Sequence, residues 1–154
     1  MKLKTLAAIL AVSCGTLYAQ TVEVKNAWVR IAVQGQKATG AFMTITAKDG
    51  AKLVAATSPV AGMAQVHEMK MEGNVMKMRA VPELDLPAGK AVELKPGGYH
   101  VMLLDLKTAL KKDSTIPLTL TFRDAKGGES KVQLQVPVGL APPVADAHEH
   151  GMKH

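Results

Sequence analysis

The chain has 154 residues, of which 47% are hydrophobic and 3% aromatic, and a formal charge of +6. That length supports one well-buried core and not two. Few aromatic rings and lysines dispersed among acidic residues exclude a stacking or phosphate-tracking surface for nucleic acid.

Residues 1–19 read as a signal peptide. Lys2 and Lys4 form the charged region, an apolar run covers residues 6–12, and small residues lead to a cut after Ala19 or, alternatively, Gly15. The run is too short to cross a bilayer as a helix. The sole cysteine, Cys14, follows Ala11-Val12-Ser13, which lacks the leucine usual before a lipoprotein cysteine, so no stable membrane association is expected. Cleavage after Ala19 lowers the charge to +4 and leaves no cysteine. Disulfides, thiolate metal sites and thiol redox chemistry are then excluded together.

Residues 20–140 read as one all-β sandwich or barrel. Short apolar or alternating runs recur at the spacing of that class. The expected strands are residues 22–25, 41–47, 52–57, 64–71, 75–81, 91–94, 100–106, 116–122 and 130–136. Breakers separate them, among them Lys48-Asp49-Gly50, Pro96-Gly97-Gly98 and Lys126-Gly127-Gly128. One helical turn is expected over residues 108–112. From residue 141 the pattern ends, and residues 141–154 read as a flexible tail bearing His148, His150, Met152 and His154.

Histidine and methionine carry the chemical signal. Of five histidines, three have methionine two places later: His67-Glu68-Met69, His100-Val101-Met102 and His150-Gly151-Met152. On a strand, positions i and i+2 share a face, so each pair sets an imidazole beside a thioether. A hairpin turning at Gly73-Asn74 sets Met69 opposite Met78 and Met71 opposite Met76. Turning at Glu72-Gly73 instead sets His67 opposite Met78, whereas a three-residue loop sends Met78 to the other face. Met69, Met71 and Met76 are auxiliary thioether candidates, while Met43 and Met63 read as flexible core filler. Soft thioether and neutral imidazole favour Cu(I) over magnesium, calcium or zinc.

At these residues the chain resembles the periplasmic copper chaperones called PCuAC, whose signature is His, ten residues, Met, twenty-one residues, then His-x-Met. His67, Met78, His100 and Met102 fit that spacing. The similarity runs from Ala27-Trp28-Val29-Arg30 through Gly40-Ala41-Phe42-Met43-Thr44-Ile45 and Pro96-Gly97-Gly98-Tyr99-His100 to residues 117–122. The resemblance implies a cupredoxin-like Greek-key fold and a periplasmic, non-enzymatic carrier binding Cu(I) through those four side chains. It also implies delivery to the copper-site subunit of cytochrome c oxidase, alone or with a thioredoxin-fold copper chaperone. In family members with a His- and Met-bearing extension, a second copper, including Cu(II), is associated with it; here that points to His148, His150, Met152 and His154.

Three rival readings fare worse. A blue-copper electron carrier needs a cysteine thiolate. A hydrolase built on His67, His100 and Glu68 or Asp105 has no recognisable catalytic spacing. A plain interaction sandwich leaves the His-x-Met pairs unexplained.

Overall fold

The computed structural model describes residues 22–143. The signal segment, Cys14 and the tail donors His148, His150, Met152 and His154 lie outside the described residues. Within them are ten strands and no helix: β1 Val22–Arg30, β2 Ala38–Ala47, β3 Ala51–Thr57, β4 Ala61–Glu72, β5 Val75–Ala80, β6 Leu84–Leu86, β7 Ala91–Leu94, β8 Tyr99–Leu106, β9 Thr115–Arg123 and β10 Glu129–Gly139.

The strands close on themselves. The ladder runs β4-β8-β2-β1-β10-β9-β3, and a β3–β4 pairing at Ala56 and Ala64 joins its ends into a seven-stranded barrel. Among these pairings β1–β10 is parallel, at Val29 and Val138. The remaining three strands extend the barrel wall: β5 pairs β4, β6 pairs β3, and β7 pairs β2. Closure removes the exposed edges that an open sheet would carry, leaving β5 as one outlying edge.

Alternation decides which residues fill the interior. Ala41, Met43 and Ile45 of β2, Val101 and Leu103 of β8, and Leu118, Leu120 and Phe122 of β9 are all buried in one core cluster. Burying each of the larger of these side chains, valine to phenylalanine, stabilises the fold by about 1.5–3 kcal/mol. Their odd-and-even partners face outward, and on the outer wall of β1 and β2 a second, smaller group forms. There Trp28 stacks near Phe42, centroids 4.8 Å apart, and the Arg30 guanidinium stands 5.5 Å from the Phe42 centroid. Gly40 makes room for that ring, because a Cβ there would lie 2.9 Å from Phe42 Cζ.

Three local expectations need correction. Residues 108–112 do not form a helical turn. Leu110 instead bridges Ala32, donating its N–H at 2.8 Å and accepting one at 3.1 Å, which buries the leucine against the core. The short strand β6 was not expected, since three residues carry too little periodicity to register. Met43 packs in the core, but Met63 is 49% exposed on the outer wall of β4.

Leu103 sits fully buried on β8 between two outward-facing neighbours, Met102 and Leu104. Leu103→Ala is expected to cost about 2–5 kcal/mol, read as a lowered midpoint in urea unfolding.

Candidate metal centre

The hairpin of β4 and β5 turns through a two-residue loop, with Glu72 paired to Val75. Gly73 takes φ +62° while Asn74 does not enter the positive-φ region. Only a residue without Cβ adopts that first position readily, so the glycine fixes the turn and hence the register. Met69 consequently faces Met78, Met71 faces Met76, and His67 faces Ala80.

On its other side β4 pairs with β8, and that ladder sets His67 directly opposite His100, with Gln65 opposite Met102. The two imidazole centroids lie 5.9 Å apart at an interplanar angle of 54°. Strand alternation puts Gln65, His67, Met69 and Met71 on one face of β4 and His100 and Met102 on the same face of β8. All of these residues stand on the outer wall of the barrel, since Val66, Val101 and Leu103 between them are in the core.

Met69, Met78, His100 and Met102 line one cleft of about 300 Å³, with Phe42 and Arg30 among its other walls. His67 does not line that cleft and joins the group through the His100 ring. Exposure is graded: His100 is 6% exposed, His67, Met69 and Met102 are half-buried, and Met78 is 46% exposed. The group therefore opens to solvent on the Met78 side.

Hydrogen bonding leaves one nitrogen of each imidazole uncommitted. His100 Nδ1 lies 3.2 Å from the Gly98 carbonyl, to which it can only donate, so its proton sits on Nδ1 and Nε2 presents a lone pair. A backbone carbonyl holding the far ring nitrogen is the usual support for a metal-binding histidine. His67 Nε2 lies 3.1 Å from Gln65 Oε1, and by the same reasoning donates to it. Its Nδ1 is buried without a hydrogen-bond partner. An orphaned lone pair in such a place costs free energy unless something binds it, and a soft cation is such a partner. Burial, and secondarily the neighbouring His100 charge, push the His67 pKa below the usual histidine value, so the neutral form needed for ligation prevails at neutral pH.

Among the described residues no three His, Cys, Asp or Glu side chains gather into a metal-binding group. Any site here depends on thioether sulfur, which selects soft ions. The sequence identified the histidines and methionines but passed over Gln65, Phe42 and the Gly98 carbonyl. Gln65 was findable as the same-face neighbour of His67, two positions earlier. Phe42, whose ring centroid is 6.2 Å from that of His100, was not, because its strand joins β8 only in the folded sheet.

Known proteins give this geometry a context. A solved structure described as the apo PCuAC domain from PmoF1 matches 79% of the chain and 98% of its own length, with TM-score 0.59 and 26% identity. The solution structure of CuI-DR1885 from Deinococcus radiodurans matches with TM-score 0.57 and 27% identity, covering 82% of each chain. The fold is thus cupredoxin-like, as the resemblance implied. A curated relative from Leifsonia xyli subsp. xyli, named "Putative lipoprotein Lxx21020", is 36% identical over 119 residues, covering 77% of this chain and 70% of that protein. The family model described as "Putative lipoprotein LpqE-like" matches residues 22–138, and the chain therefore belongs to the LpqE-like family.

Proposed function

We propose that the protein is an exported copper chaperone that holds one Cu(I) through His67, Met78, His100 and Met102 and passes it on by ligand exchange. The observation carrying this reading is the pairing of His67 with His100 across β4 and β8, each with one uncommitted ring nitrogen, on the face that also bears the two thioethers. All four donors are neutral, so a Cu(I) held among them keeps its charge and leaves readily toward an anionic thiolate in an acceptor. Such a transfer changes no oxidation state, and the open Met78 side gives an acceptor its line of approach. The protein is then a carrier and not a catalyst. The copper-site subunit of cytochrome c oxidase, reached directly or through a thioredoxin-fold copper chaperone, is the acceptor that the PCuAC resemblance supplies. Export to the periplasm rests on the amino-terminal segment and accords with the lipoprotein names of the family and of the relative.

A second copper is proposed for His148, His150, Met152 and His154. Pro142 and Pro143 line a groove with Trp28, Phe42 and Pro96, and Phe42 and Pro96 also line the cleft of the histidine–methionine group. The last described residues thus lie beside the proposed site. His148 is the fifth residue after Pro143, a reach of at most about 18 Å. Imidazole-rich donors accept Cu(II) as well as Cu(I), so the tail is suited to capture and the folded site to Cu(I) transport.

Three measurements test this. In competition with a chromophoric Cu(I) chelator, His100→Ala and Met102→Ala are each expected to weaken the folded site at least about tenfold, following the loss of one ligand in four; wild-type affinity in both would remove the proposed ligand set. The same titration across pH should give constant affinity from about 8 to 7 and a fall below about 6.5, by up to about tenfold per unit for each imidazole that must lose a proton. The depressed pKa of His67 places its share of that fall at the acidic end. Finally, ending the chain at Ala141 should lower copper stoichiometry by one and abolish the Cu(II) resonance signal; an unchanged stoichiometry would assign no copper to the tail.

A further inference from the structure

The tip of the β4–β5 hairpin carries methionines that the four-ligand site does not use. Met69, Met71 and Met76 stand with Met78 on one face, in two directly opposed pairs. Counting outward from the two-residue turn, Glu72 and Val75 form the hydrogen-bonded pair, so Met71–Met76 and Met69–Met78 are both non-hydrogen-bonded pairs. Such pairs bring Cα atoms within about 4.5 Å and press their side chains together.

These side chains have no packing task. Met71 is 59% exposed and Met76 44%, and every residue of β5 is exposed. The opposite face of the hairpin offers no core to fill: beside an exposed Val75 it carries Glu68, Lys70, Glu72, Lys77 and Arg79, with ion pairs at 3.1 Å between Arg79 and Glu68 and 2.9 Å between Lys77 and Glu72. Leucine or valine would have served a structural strand better than flexible methionine. What four thioethers on one wall provide is soft, neutral donor capacity.

We propose that Met69, Met71 and Met76 form a second, all-thioether Cu(I) site at the hairpin tip, from which the ion reaches the folded centre through Met78. Three sulfurs suffice for trigonal Cu(I), and the ion advances by exchanging one thioether for the next, with no electron or proton transferred. Having no imidazole, the tip site is the weaker of the two, and the gradient runs from solvent toward His67 and His100. The route to the centre rests on the ligand assignment above; the tip site itself does not.

The test is an anaerobic Cu(I) titration of the full chain carrying 13C-methyl methionine, followed by NMR. The first equivalent is expected to move the Met78 and Met102 methyl signals, and a later one those of Met69, Met71 and Met76. In a His67→Ala, His100→Ala double variant the tip signals should still move, and that of Met69 should do so at a copper concentration at least tenfold lower than in a chain that also carries Met71→Leu and Met76→Leu. These leucine swaps lie on exposed positions and conserve volume, so the fold is retained. In the otherwise native chain the same pair of swaps should leave the affinity of the first equivalent unchanged and slow copper loading severalfold. Unmoved Met71 and Met76 methyls while Met152 shifts would assign later copper to the tail alone and overturn the tip site, as would an unchanged loading rate. Failure of the four-ligand reading looks different: the histidine double variant would then bind the first equivalent as tightly as the native chain.

Discussion

Everything that distinguishes this molecule rests on the hydrogen-bonded register of β4, which pairs with β5 on one side and β8 on the other. Because side chains alternate with a period of two, these ladders decide at once which donors share a face. A slip of one residue in either would send His67, or Met78, to the wrong side. Two separate devices hold the register. Gly73 at positive φ fixes the hairpin, and burial of Val66, Val101 and Leu103 fixes β4 against β8. The apolar core thereby positions side chains on the outer wall that never enter it.

That outward placement shapes the chemistry. A polar group inside the barrel would need partners there, whereas on the wall one nitrogen of each imidazole is held by a local acceptor, Gly98 or Gln65, and the other stays uncommitted. Phe42, resting over side-chain-free Gly40, supplies a dry flank beside His100. Exposure rises from His100 through Met102 and Met69 to Met78 and the hairpin tip. A buried end and an accessible end therefore belong to one continuous face, the arrangement that the proposed carrier requires and that a sealed storage site would not have.

The contrast between barrel and hairpin is also one of stability. The barrel buries its leucines and valines on closed ladders, while β5 is an outlying edge held by one neighbour and by surface ion pairs of small individual worth. Local opening is thus cheapest where the donors are most exposed. Lys77 and Arg79 on that edge oppose pairing with another chain, which leaves the methionine face free for a metal or a docking acceptor.

The sequence by itself determined the all-β class, eight of the ten strands to within a few residues together with the first half of β1, and the donor types, because alternation, turn residues and side-chain softness are local properties. It also limited the hairpin to a few registers, of which a Gly73-Asn74 turn was one. Only the tertiary structure chose among them, set His67 against His100 rather than against Met78, closed seven strands into a barrel and brought Gln65 and Phe42 to the site. It also put Met63 outside the core and Leu110 into a bridge with Ala32. The reason is common to all of these: strand pairing is a contact between segments tens of residues apart, and which segments meet is fixed by burial of the whole core and not by any stretch of chain alone.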